Sequence, residues 1–325
     1  MKNKPNRLIY SEEYVCINGI EQYLFHSGTN YNNPVMLFLH GGPGSSESLF
    51  AYMFQEKWED VFTVVHWDQR GTGKTLTKNK DKYPTIEVMI KDLFEVVQYL
   101  KKKYNREKII ILGHSWGSAL GSIFIKQYPE EVAYYIGVGQ VINMIENERV
   151  GYEKAKELII QCNDKKDLKK LKDLGQYPGD KFDDNFMKKC MKIRKIQGKY
   201  NLAVNLSFSM LVAVFKSPIL KFSDIYAAIK GSKANKNLLA FLFHFDLNSE
   251  SKEYKVPMYY ILGENDWQTP YVIAEKYFEE MNAPYKKLYL IPSAGHMTMI
   301  DQPDLFFDAL TDISKKEKTK VGLEQ

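Results

Sequence analysis

Short apolar runs bounded by turn-forming or charged residues recur along the chain, at 35–39, 61–65, 109–112, 134–138, 258–262 and 288–291. Runs of this length suit strands buried on both faces of a parallel sheet. Between them the period changes. Ile86, Met89, Ile90, Leu93, Phe94, Val97 and Leu100 fall on one face at helical spacing, directly after Pro84 and Thr85. Residues 116–128 read as a second helix, stopped by Pro129. Asn18-Gly19 sits between two extended segments within 7–27 and predicts a leading antiparallel hairpin. Strand–helix alternation predicts an α/β fold built on a mostly parallel, doubly wound sheet. The alternation stops near Val141 and resumes at Lys255. Residues 1–142 and 251–325 therefore read as one catalytic-type domain, and 143–250 as an inserted helical cap over the strand ends.

Chemistry enters where strands run into glycine-rich turns. The run 109–112 leads into Gly113-His114-Ser115-Trp116-Gly117, followed at once by a helix. This is G-x-S-x-G in a strand–turn–helix setting, which exposes a serine on a strained turn at a helix N-terminus. The run 35–39 leads into His40-Gly41-Gly42-Pro43-Gly44. The N–H groups of Gly42 and Trp116 are the expected oxyanion donors, each worth roughly 3 kcal/mol of transition-state stabilisation. Of the six histidines, His296 alone follows the last strand pattern, in Ser293-Ala294-Gly295-His296. Asp266, in Gly263-Glu264-Asn265-Asp266, follows the strand before it. The order Ser115, Asp266, His296 makes a nucleophile, an orienting acid and a base. Glu264 competes with Asp266 for the acid's place.

Two features read as structural. Gly71-Thr72-Gly73-Lys74-Thr75 resembles a phosphate loop, but Asp68 stands where that pattern needs glycine, and no strong helix is expected directly after it. Asp68-Gln69-Arg70-Gly71 is expected to brace neighbouring loops through charge-assisted hydrogen bonds.

Composition narrows the class. Hydrophobic residues make up 44% and the net charge is +5, with lysines interleaved among acids. Lys101–Lys103 and the lysines of 165–172 read as solvated helix faces, not as a nucleic-acid footprint. Cys16, Cys162 and Cys190 are too few and too scattered for a disulfide framework or a zinc site, which suggests a reducing, cytoplasmic setting. Residues 1–9 lack the apolar core of a signal peptide, the apolar stretch 207–215 is too short to cross a bilayer, and the lysine-rich tail after Ser314 is expected to fray. No metal or cofactor is implied.

Taken together, His40-Gly41-Gly42-Pro43-Gly44, Asp68-Gln69-Arg70-Gly71 and Gly113-His114-Ser115-Trp116-Gly117 resemble the proline iminopeptidase family of α/β-hydrolases. The resemblance implies the α/β-hydrolase fold and release of an N-terminal residue, typically proline, from a short peptide. It also implies cap carboxylates that hold the substrate's free amine. Glu146 and Glu148 are the candidates, and a plain acidic helix start explains them equally. Phe208, Phe215, Phe222, Phe241, Phe243 and Phe245 could line an apolar pocket or form the cap's own core. The same triad would serve a carboxylic ester hydrolase, lactonase or amidase on a small apolar substrate. A binding protein with a vestigial site fits less well, because triad and oxyanion segments are both intact.

Overall fold

The computed structural model describes residues 7–204 and 208–323, with side chains described outside 205–211 and 320–323. The polar start at 1–6, the head of the apolar stretch at Ser207 and the side chain of Phe208 lie outside the described residues.

Eight strands form one sheet: β1 (Ile9–Ile17), β2 (Ile20–Gly28), β3 (Val35–Leu39), β4 (Thr63–Asp68), β5 (Ile109–His114), β6 (Val132–Val138), β7 (Met258–Gly263) and β8 (Lys286–Ile291). Their order is β1-β2-β4-β3-β5-β6-β7-β8. β1 and β2 form the hairpin that Asn18-Gly19 predicts, with Ile17 opposite Ile20, and β2 joins β4 antiparallel. All later pairings are parallel. The central strands are buried along their whole length, as their apolar runs demand. Helices cover both faces. One core gathers Met89, Leu93, Val97 and Leu100 of α2 (Ile86–Tyr104) with Leu120 and Phe124 of α3 (Trp116–Gln127). The other gathers Trp58 with Phe306 and Leu310 of α12 (Pro303–Leu323), which follows α10 (Tyr271–Glu280) and α11 (Thr298–Asp301) in the chain.

Three expectations need correction. The fourth strand starts at Thr63 and runs to Asp68, three residues past the apolar run. Phe62 packs beneath the sheet instead, and His66 and Trp67 extend the strand because Gln55 and Gln22 satisfy them. A helix does open at Gly73: α1 (Gly73–Lys78) is too short to show a period. Its Lys74 is buried and committed, donating to Asp224 at 2.6 Å and to the Ile219 carbonyl at 2.8 Å. The tail does not fray at Ser314. It continues α12, docked where Tyr259 donates to Glu317.

Between β6 and β7 the chain forms α4 (Met144–Gln161), α5 (Lys165–Asp173), α6 (Asp184–Lys199), α7 (Phe208–Phe215), α8 (Asp224–Ala234) and α9 (Lys236–Phe243). The two ends of this insertion meet, since Met144 N–H donates to Phe245 O at 3.1 Å and Leu247 N–H to Ile142 O at 2.8 Å. One edge is anchored to the sheet domain. Asn235 donates to Gly71 O at 2.7 Å, Tyr52 to Ala213 O at 2.7 Å, and Gly231 of α8 lies backbone to backbone on Gly44. A Cβ at Gly44 would stand 2.8 Å from the Gly231 carbonyl carbon and oxygen. The Lys74–Asp224 pair belongs to this anchor. Lys74→Met should cost about 3–5 kcal/mol in urea unfolding, because Asp224 stays buried without its cation. Adding Asp224→Leu should recover most of that loss, and a fully stable single variant would rule the pair out as an anchor.

Candidate active site

β5 delivers the serine. After His114 the backbone turns sharply, and Ser115 adopts φ 53° and ψ −119°, a positive φ that a non-glycine residue holds only under constraint. The constraint is visible: Ser115 N–H donates to Val138 O at 3.0 Å, and α3 begins at the next residue. The flanking glycines are required by space. A Cβ on Gly117 would collide with the Leu39 carbonyl, and one on Gly113 would stand 2.8 Å from the Ser118 Cα. Trp116 N–H opens the helix, where no intrahelical acceptor exists.

The loop after β3 wraps beside this turn. A Cβ on Gly41 would meet the Ser115 Cβ at 3.2 Å, so only glycine allows the approach, and Gly42 turns the chain with φ +117°. His40 holds the loop from behind. Its Nε2 accepts from Gln69 N–H at 3.2 Å, so its Nδ1 carries the proton and donates to Gly41 O at 2.7 Å. Burial pushes this histidine below its ordinary range. Gln69 spans the gap, donating to His40 O at 3.4 Å and accepting from Trp116 Nε1 at 2.9 Å. Asp68 accepts from Ser46, from Ser48 at 2.8 Å and from Lys74 N–H at 2.8 Å, while Arg70 forks onto buried Asp92 at 2.7 and 2.9 Å. The segment 68–71 thus braces the loops as its sequence suggests.

The residues expected as base and acid, His296 and Asp266, meet beyond β7 and β8. His296 Nδ1 lies 2.8 Å from Asp266 Oδ2, and both side chains are buried. Asp266 Oδ1 accepts the N–H groups of Gln268 and Thr269, each at 3.0 Å. Burial alone would raise this carboxyl, but His296 and the Thr269 hydrogen bonds outweigh it and hold it below the usual carboxylate range. Thr269 joins the pair, its hydroxyl 2.8 Å from Asp266 Oδ2 and 3.1 Å from His296 Nδ1. No motif marks Thr269; only its position, three residues past Asp266, could have drawn attention. Gly139 backs the imidazole, for a Cβ there would stand 3.1 Å from its Nδ1 and Cε1. Glu264 is exposed and makes no such contact. The residue before Ser115 links the serine turn to this set: the His114 and His296 rings lie 4.8 Å apart, and His114 Nε2 is 2.9 Å from His296 O.

The other expected site residues are already engaged. Glu146, half exposed, pairs with Arg149 one turn on. Glu148 is buried and takes Arg194 and Tyr177 on its two oxygens. Phe243 stacks edge-on against Phe186, Phe245 and Phe241 pack with the sheet's core, and Phe215 and Phe222 face solvent. None of the five lines the groove of about 480 Å³ beside His296, where Ala203 and Val204 of the insertion face Met297, Ile300 and Asp301. Among the described residues no cluster of three metal-ligating side chains occurs, and no helix is long and apolar enough to cross a membrane.

The chain is similar to several known proteins. A probable aminopeptidase, YbaC of Bacillus subtilis (strain 168), is 29% identical over 302 residues, covering 91% of this chain and 94% of that one. A proline iminopeptidase of Heyndrickxia coagulans is 22% identical over 305 residues, covering 94% and 98%. The structure of an esterase from Exiguobacterium antarcticum matches 94% of this chain and 100% of that one, with a TM-score of 0.62 at 18% identity, which speaks to fold alone. The family defined by the α/β-hydrolase fold matches residues 34–303, from just before β3 to the start of the last helix, and the chain belongs to that family.

Proposed function

We propose that the protein is a serine hydrolase that releases an N-terminal residue, proline or another apolar one, from short peptides. The observation that carries this reading is the buried Asp266–Thr269–His296 set beside a serine held at positive φ. Asp266 fixes the proton on His296 Nδ1 and leaves Nε2 free as base. His296 takes the Ser115 proton as Oγ attacks the scissile carbonyl. The N–H groups of Gly42 and Trp116 receive the developing oxyanion. His296 then protonates the leaving amine, and the N-terminal residue stays on Ser115 as an ester. Water, deprotonated by His296, attacks that ester and frees the acid.

Residues 143–250 act in this reading as a helical cap that shapes the substrate site. Peptide specificity follows the likeness to YbaC and to the Heyndrickxia coagulans enzyme. Amine recognition by Glu146 or Glu148 would require Arg149 in the first case, and Arg194 with Tyr177 in the second, to yield a carboxylate oxygen.

Initial rates on aminoacyl-arylamides of proline, alanine, leucine and phenylalanine, an N-blocked proline arylamide and short-chain nitrophenyl esters test the reading. Free-amine arylamides should turn over and the blocked one should not. Turnover of esters alone would make the protein a carboxylic ester hydrolase on the same triad.

A further inference from the structure

His114, the variable residue inside G-x-S-x-G, is buried with an acceptor at each ring nitrogen. Nδ1 lies 2.7 Å from Glu47 Oε1, and Nε2 lies 2.9 Å from the backbone carbonyl of His296. A carboxylate and a carbonyl can only accept, so both ring nitrogens must carry protons for both bonds to exist. His40 makes the contrast, because a backbone N–H donates to its Nε2, where Thr72 Oγ also lies at 3.1 Å, and burial pushes that ring below the ordinary histidine range. Glu47 belongs to the loop that supplies Gly42, and Gly41 separates it from the nucleophile. A Cβ on Gly41 would stand 2.8 Å from Glu47 Oε1, 3.2 Å from Ser115 Cβ and 3.3 Å from His114 Nδ1.

We propose that Glu47 and His114 form a buried carboxylate–imidazolium pair that holds the oxyanion loop, the serine turn and the histidine loop in register, and that loss of its proton sets the alkaline limit of catalysis. The inference rests on the serine hydrolase reading for its effect on turnover, but not for the charge on His114. Both are positioning residues, acting through Gly42, Ser115 and His296. The pair joins three segments of the site that are otherwise separate in sequence, and misplacement of reacting groups by a fraction of an ångström is costly.

The surroundings give the direction of the pH dependence. Burial alone would push His114 down, but Glu47, the His296 carbonyl and the more distant Asp266 outweigh it and hold the ring above the ordinary histidine range. Burial would raise Glu47, but His114, with His40 and His296, holds it below the ordinary carboxylate range. Asp68 faces the same cluster through His40. A raised histidine contributes fully below its unfolded pKa, and its contribution is lost as pH rises through the folded pKa. A depressed carboxylate contributes above its unfolded pKa and is lost as pH falls through its folded one. The pair is therefore whole between the folded pKa of Glu47 and that of His114, and on the alkaline side it opens through His114.

Glu47→Gln keeps the shape and removes the charge, so His114 should be neutral at pH 7. It should lower kcat by about ten- to a hundred-fold with KM changed less than about twofold. It should also abolish the alkaline limb expected of the wild type, and His114→Gln, which retains one donor for the His296 carbonyl, should flatten it likewise. A residue serving only packing would lower activity and leave that limb in place. The direct measurement is ¹⁵N NMR of the histidine-labelled full chain, with His114→Gln to assign the signal. Two protonated ring nitrogens on His114 at pH 7 support the pair; a neutral ring, or an unchanged alkaline limb in Glu47→Gln, overturns it. The wild-type spectrum decides even if the variants do not fold. If no substrate is turned over, the reading of Ser115 fails while the spectrum still decides the charge.

Discussion

Ser115→Ala is expected to lower kcat by about a million-fold, leaving only the rate supported by substrate positioning and oxyanion donors. The variant deletes one oxygen and nothing else that the fold uses. The Ser115 N–H still donates to Val138 O, and its carbonyl still accepts from Ser118 N–H and Oγ. Alanine at the same positive φ bears much the same strain as serine, so the melting temperature should stay within a few degrees of wild type. Steady-state kinetics on the best substrate of the panel, together with loss of labelling by a fluorophosphonate probe, measures the effect. A variant that hydrolyses at the wild-type rate would show that another group attacks the carbonyl.

Asp266→Asn is expected to lower kcat by about ten-thousand-fold at neutral pH. The reason lies in the hydrogen bonds already present. Asp266 Oδ1 accepts two backbone N–H groups, from Gln268 and Thr269. An asparagine must keep its oxygen there and turn its amide N–H₂ toward His296. His296 Nδ1 would then accept, and its proton would move to Nε2, the nitrogen that in the proposed reaction receives the Ser115 proton. Glu264→Gln, on an exposed side chain, should leave the rate within about twofold. The pair of variants separates the two acids that sequence spacing leaves open; a large loss in Glu264→Gln with none in Asp266→Asn would reverse their roles.

Much of the fold was legible because a buried parallel strand has no polar face to blur its pattern. The runs at 35–39, 109–112 and 258–262 each lie within a strand that is buried throughout. The edge strand β8 was harder: it begins with two lysines and is only partly buried until Ile291, so only its apolar half stood out. The fourth strand was misplaced because polar His66 and Asp68 are buried there, satisfied by partners far away in sequence. The serine turn and the glycine loop were legible because backbone geometry demands glycine at fixed spacing. Thr269, Gly139 and Glu47 were not, since their place in the site depends on how three loops pack. The insertion was legible as helical and little more. Apolar residues there serve several small cores, so Phe243 and Phe245 read the same in sequence as solvent-facing Phe215 and Phe222.

The backbone contact between Gly44 and Gly231 has a consequence for how freely this protein can exchange parts. A side chain at 231 would run into the Gly44 carbonyl, and Lys74 is buried only because Asp224 comes with the same helix. A chimera that grafts a relative's insertion onto this sheet must therefore bring a glycine and an acid seven positions apart on one helix, or lose the fit at the loop that carries Gly42. The helix α8 must be inherited together with the glycine loop that it touches.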